Sequence, residues 1–235
     1  NTTLASTYTV SFYGTGTITF SGTHTGSLVG TSLTDRVSAT FTATAGTLTS
    51  TVSGTVTKGQ LENLNFASSY IPTSAASNTR LRDLATDSGN ATLINSTEGV
   101  LYAEIAALAD GITQNRISLS YDNVNLVRIA ITNSQISFAV YNNGAYQANG
   151  NYIVSNITDF NKVAVKYKEN DFALWVNGTE AVTDTSGLTS FAGPLDHLNF
   201  SNANGSNQFF KGKTKAVAVY KEALTDAELT ALTTI

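Results

Sequence analysis

The side chains best placed to do chemistry in this chain are neutral. Trp175 is the only indole, in the run Phe172-Ala173-Leu174-Trp175-Val176. An aromatic ring on a sheet face offers a flat apolar surface with a polar tip, the shape that stacks on the C–H face of a sugar. Tyr141 and Tyr146 flank the turn Asn142-Asn143-Gly144, and phenols and amides on a rim recognise hydroxyl groups. Asn202 and Asn204 lie in the run SNANGSNQ, residues 201–208, rich in neutral donors and acceptors. Trp175, Tyr141, Asn143, Tyr146, Asn202 and Asn204 are therefore the candidate ligand-binding residues. Structural alternatives stand beside them, because Asn-rich turns also form for backbone reasons alone. Trp175 alternates with Leu174 and Val176 and so faces away from whatever those two pack against. It is either a sugar platform, a core side chain with its neighbours outward, or a contact between subunits.

Catalytic equipment is not legible. Glycoside hydrolysis needs two carboxyl groups several ångströms apart. On strands that favours spacing by two or four, and no such pair is read on a strand of the second half. Asp226 and Glu228 fall in a helix cap, where the helix dipole accounts for them. His24 lies in SGTHTGS and His197 follows Asp196, and both read as surface or edge side chains rather than members of a triad. With no Cys, disulfides and thiolate metal sites are excluded. Asp110, Asp122, Asp159, Asp184 and Asp196 are scattered, so no metal is assigned. There is no Gly-rich phosphate loop before a helix. The expectation is a protein that is not an enzyme and that uses no cofactor and no metal.

The elements that would carry these residues are strands. Charged residues make up 13% of the 235, about half the usual share, and Thr, Ser, Asn and Gly take their place. Nineteen of the first sixty residues are Thr, and Asp35, Arg36 and Lys58 are the only charges among them. Thr is β-branched and suits an exposed pleated face. Tyr8, Val10 and Phe12 alternate with Thr7, Thr9 and Ser11; Val37, Ala39, Phe41 and Ala43 form another strand, and Leu48, Val52 and Val56 lie on short strands broken at Gly54. Residues 1–65 thus read as a small antiparallel β-sandwich module with a thin core, suited to assembly. Residues 66–89, with Pro72 and no sustained periodicity, read as a packed linker anchored by Phe66 and Tyr70.

From residue 90 a second series begins, with strands at 101–105, 116–120, 126–131, 135–141, 162–167 and 172–176. Asn143-Gly144 and Asn177-Gly178 mark type I′ hairpin turns, where both positions want positive φ. Val217 and Val219 alternate with Ala216, Ala218 and Tyr220 on a last strand. Thr225 is then a good helix N-cap, Glu228 completes a capping box, and Leu224 with Leu229 forms a hydrophobic staple.

A net charge of −4 leaves no basic footprint, so nucleic acid is not expected as a partner. No run reaches the roughly 18 apolar residues of a membrane helix, so no membrane insertion is expected. The chain starts at Asn1 rather than Met, which suggests that a preceding segment was removed. Asn-x-Ser/Thr triplets at Asn90, Asn95, Asn156, Asn177 and Asn199 are read as chance in so Asn- and Thr-rich a chain.

STEGVLYAEI, NKVAVKYKENDFALWVNGTEAV and the closing FKGKTKAVAVYKEALTDAELTAL make residues 90–235 resemble the laminin-G/concanavalin A-like jelly-roll domains of bacteriophage structural proteins and secreted bacterial modules. Upstream, QLENLNFASSYIPTSAASNTR is similar to the segment that links a small β module to such a domain in tail and virion proteins. The resemblance implies an all-β fold, an antiparallel jelly-roll sandwich of two sheets face to face, whose relatives mostly bind glycans or proteins. The reading is then a non-enzymatic virion protein (tail fibre, spike or capsid decoration) with a lectin-like domain for host-surface attachment. The alternative is a secreted bacterial carbohydrate-binding module or adhesin domain. The partners expected are a cell-surface glycan, other virion proteins, and copies of the chain itself, as a trimer through residues 1–65. Any glycan binding is expected within 90–235, weak and neutral in character, because the candidate residues include hardly any basic groups.

Overall fold

Residues 2–73, 76–78, 88–111, 115–203 and 208–235 are described by a computed structural model of the chain. It divides into two compact units, Asn1–Arg82 and Asp83–Ile235. The first contains β1 (Thr2–Thr3), β2 (Ser6–Gly14), β3 (Thr17–Gly22), β4 (Gly26–Val29), β5 (Ser32–Ala43), β6 (Gly46–Ser53) and β7 (Val56–Glu62). These form a four-stranded sheet, β1-β6-β3-β4, and a three-stranded sheet, β5-β2-β7. Alternation along β2 drives Tyr8, Val10 and Phe12 into a cluster with Ile18, Phe20, Phe41, Ala43 and Leu48.

The polar face of β2 is buried as well, which its Thr/Ser pattern does not announce. Thr9 is 1% and Ser11 0% exposed. The Thr9 hydroxyl donates to the Leu64 carbonyl at 2.8 Å, and Arg36 Nη2 donates to Ser11 Oγ at 2.6 Å. The same guanidinium lies 3.9 Å from Glu62 and donates to the Ser68 carbonyl, while the Glu62 carboxylate accepts from the Ser68 backbone N–H. The chain after β7 thus covers this face with hydrogen bonds rather than apolar packing.

The second unit contains β8 (Glu98–Ala107), β9 (Asn115–Ser120), β10 (Leu126–Thr132), β11 (Gln135–Asn142), β12 (Ala145–Ile153), β13 (Asn161–Lys168), β14 (Phe172–Val176), β15 (Thr179–Asp184), β16 (His197–Asn199), β17 (Gly212–Tyr220) and α1 (Asp226–Thr233). Two five-stranded sheets result, β12-β11-β10-β9-β16 and β15-β14-β13-β8-β17, with every strand pair antiparallel. Their inner faces share one apolar core. Leu101, Ile105, Val163, Val165, Leu174 and Val176 from the second meet Ile117, Leu119, Val127, Ile129, Phe138 and Val140 from the first. The hairpin turns match their residue types, with φ of 49° and 80° at Asn143 and Gly144, and 50° and 81° at Asn177 and Gly178. Asn-x-Thr triplets also serve backbone ends here. Asn90, Asn95 and Asn156 each accept both the N–H and the hydroxyl of the Thr two residues on.

The outer face of the β15-β14-β13-β8-β17 sheet is covered by α1. The Thr225 hydroxyl accepts the Glu228 N–H while the Glu228 carboxylate accepts the Thr225 N–H. The Thr225 hydroxyl, which also donates to the Glu228 carboxylate, and then the Thr225 N–H hold that carboxyl below its ordinary range. Leu224 and Leu229 flank the cap, and Leu229 packs with Val100, Tyr102, Ala164, Ala173 and Trp175. Trp175 does face away from Leu174 and Val176, but towards the helix rather than solvent. At 5% exposed it is no sugar platform. Leu229, with Leu224 and Leu232 beside it, provides that cover. Among the described residues no helix is long and apolar enough to cross a membrane.

The Trp175 indole N–H has no hydrogen-bond partner among the described residues, so its worth is packing. Trp175→Ala is expected to cost about 3–5 kcal/mol of stability in urea denaturation, and Trp175→Phe distinctly less. A loss for Trp175→Ala below about 0.5 kcal/mol, the range of ordinary surface changes, would contradict the burial.

Candidate functional site

The other outer face, on the β12-β11-β10-β9-β16 sheet, gathers most of the polar candidates. Register sets its rows: Ser118, Arg128, Ala139 and Asn149 lie across four strands, followed by Arg116, Ala130, Ser137 and Asn151. Inward residues such as Ile117, Ile129 and Phe138 belong to the core, so alternation turns these rows outward. Asn149 and Asn151 are exposed, and Ala130 and Ala139 are buried beneath their longer neighbours.

A bulge completes the face. Val140 pairs with Ala148, but Tyr141 pairs with Tyr146, so the strand carries an extra residue at Gln147. In a regular ladder Tyr146 would point inward. The bulge swings it out beside Tyr141, with ring centroids 4.3 Å apart. Tyr146 is 55% exposed. Arg128 lies over the Tyr141 ring, its guanidinium carbon 4.9 Å from the centroid. It donates to the Tyr141 hydroxyl at 3.3 Å and to Asn202 Oδ1 at 3.4 Å. Burial, and then Tyr146 beside it, push the Tyr141 hydroxyl up.

Arg116 stands diagonally from Arg128 on the neighbouring strand, a spacing of roughly 7–8 Å between Cα atoms that long side chains span. Its Nε is buried and has no partner, and the guanidinium forms no hydrogen bond or ion pair among the described residues. Burial, then repulsion from Arg128, lower its pKa to about 10 against the opposing pull of Tyr141 and Tyr146. The edge beside it is finished by residues 199–201 and 209–211. Asn199 donates to the Ser120 hydroxyl at 3.0 Å, Ser118 donates to the Ser201 carbonyl at 3.0 Å, and Phe209 bridges to Arg116. The Ser201 hydroxyl is buried without a partner among the described residues.

The candidates therefore separate. Tyr141 and Asn202 meet Arg128, and Tyr146 stands beside Tyr141. Asn143 sits in the adjacent turn, its N–H held at 3.0 Å by the Oδ1 of buried Asn125, which also accepts the Ala192 N–H. Trp175 belongs to the other sheet and is covered. Asn204 lies outside the described residues. The expectation that the surface lacks basic groups is corrected, since Arg116 and Arg128 stand at its centre. Strand alternation carried the signal, because Arg128 falls between Val127 and Ile129.

The carboxylates are spent elsewhere. Glu180 and Asp184 do stand four apart on β15, a pair the spacing argument passed over. Four residues of strand put their Cα atoms roughly 13 Å apart, beyond the roughly 5–9.5 Å between the carboxyls of a glycosidase pair. Glu180 accepts the Thr183 hydroxyl and Asp184 the Ser186 N–H. Glu98 pairs with Lys168 at 3.2 Å and Glu104 with Lys215 at 2.7 Å. His24 stacks on Phe41 at 4.1 Å, and His197 hydrogen-bonds Asp196. Among the described residues no three His, Asp or Glu side chains gather as a metal site.

Residues 86–230 match the laminin-G model of the concanavalin A-like lectin/glucanases superfamily. No curated protein sequence matches the chain. Domain 4 of AbnA, an extracellular GH43 arabinanase from Geobacillus stearothermophilus solved with arabinotriose, is similar in fold: 14% identity, TM-score 0.48, covering 62% of this chain and 70% of that one. The botulinum neurotoxin serotype G binding domain gives 10% identity and a TM-score of 0.42, covering 59% of this chain. The chain spans 36% of that domain's length.

Proposed function

Because the chain belongs to the concanavalin A-like lectin/glucanases superfamily, we propose that it is a non-enzymatic glycan-binding protein. The sugar would lie on the outer face of the β12-β11-β10-β9-β16 sheet. One observation carries this reading: the exposed Tyr146 ring, seated on Tyr141 by the bulge, stands on the same face as Arg128, Asn149 and Asn151. An apolar ring with a few convergent polar groups is the usual composition of a small-ligand site. The non-enzymatic part is supported by the engagement of Glu98, Glu104, Glu180 and Asp184 in local pairs.

The proposed setting is a bacteriophage particle, with the chain a tail-fibre, spike or capsid-decoration component that attaches to host-surface glycan. The run at residues 60–80 supports it through its similarity to virion linkers. Assembly as a trimer through residues 1–65 belongs to the same proposal, supported by the small apolar cluster of that unit. A secreted bacterial module or adhesin would keep the same site without the assembly.

A glycan array probed with the full chain should give signals that Tyr146→Ala weakens by about tenfold or more, with melting temperature unchanged. Binding that survives Tyr146→Ala would move the site elsewhere. Light scattering should return three chains per particle at micromolar concentration, whereas a monomer would sink the virion assembly and favour the appended-module alternative.

A further inference from the structure

The β12-β11-β10-β9-β16 sheet carries an unusual charge distribution. None of its strands contains Asp or Glu, and apart from His197 its only ionisable charges are Arg116 and Arg128. Both point out on one face, in a chain whose net charge is −4. On the facing sheet Lys166, Lys168 and Lys215 each sit within 3.2 Å of a carboxylate, and Lys162 donates to the Thr234 carbonyl. Arg36 of the first unit also stands near a carboxylate, with Glu62 at 3.9 Å. Arg128 contacts only the neutral Tyr141 hydroxyl and Asn202 amide among the described residues, both beyond 3.2 Å. The Arg116 guanidinium forms no hydrogen bond among them, and its Nε is buried. Two half-buried guanidinium groups placed side by side without an anion repel each other and leave donors unused. An anion between them removes both costs.

We infer that this face takes an acidic sugar, a glycan residue whose carboxylate lies between Arg116 and Arg128 while its ring rests against Tyr146. This deepens the glycan-binding reading and rests on it. The planar guanidinium fork matches a carboxylate in two parallel hydrogen bonds. Asn149 and Asn151, exposed on the next strand, are left for the ring hydroxyls. Two cations suit one carboxylate per site. A highly sulfated polymer would need a longer basic track, and the rows around the pair hold only Ser, Ala and Asn.

The test uses acid and neutral sugars that differ in the carboxyl group. Trigalacturonate with galactotriose, and sialyllactose with lactose, are titrated calorimetrically into the full chain at low and physiological salt. The inference expects an acidic member to bind at least about tenfold more tightly than its neutral counterpart, and salt to narrow the gap. Arg128→Ala and Arg116→Gln should each abolish the difference, and Arg128→Lys should restore it only in part, with near-ultraviolet dichroism confirming a folded variant. Equal binding of acid and neutral members would overturn the inference while leaving the glycan reading intact. A discrimination that survives both arginine substitutions would also overturn it. If no sugar of either kind binds, the glycan reading fails with it.

Discussion

Two-residue alternation is the constraint on which the second unit depends. Each strand sends half of its side chains into the shared core, where Leu101, Val165 and Leu174 meet Ile117, Ile129 and Phe138. The other half must be covered, solvated or used. The two sheets answer this differently. On one, α1 lies over Tyr102, Ala164 and Trp175 and turns an outer face into a second apolar layer. On the other, short residues such as Ala130, Ala139 and Ser137 leave a shallow field under Arg116, Arg128 and the two tyrosines.

The electrostatics follow the same division. Lys166, on the helix-covered sheet, is only 7% exposed and is held by Asp171 at 2.6 Å and by Asp226, in the first turn of α1, at 3.6 Å. A buried cation is tolerable when paired in this way. The arginines on the opposite face lack such partners among the described residues, so their charge is directed outward. A structural role alone would favour neutral residues there, because an unpaired guanidinium adds desolvation cost without compensating attraction.

Most of the architecture was legible because it rests on local rules. Alternation located the strands around Val10, Phe41, Ile105, Ile129 and Val165, and Asn-Gly pairs located two hairpins by their φ requirement. Thr225, Glu228, Leu224 and Leu229 foretold the capped helix. What escaped was non-local. β12 is mostly exposed and holds Asn149, Gly150 and Asn151 in a row, so its residues carry little periodic signal. The bulge that turns Tyr146 outward exists only in the pairing of two strands. The fate of Trp175 depended on whether a helix 50 residues later would dock on its face, which spacing within 172–176 cannot say. Arg116 and Arg128 do not show in the net charge of the whole chain, because their effect comes from sharing one sheet whose strands carry no Asp or Glu.

Backbone amide NMR of the full chain, titrated with an acidic oligosaccharide such as trigalacturonate, tests the central claim most directly. The account predicts that the shifts concentrate on one surface, at Arg116, Arg128, Tyr141, Tyr146, Asn149 and Asn151, with the strands under α1 undisturbed. Shifts confined to the Asn1–Arg82 unit, or to the helix-covered sheet around Trp175, would contradict it.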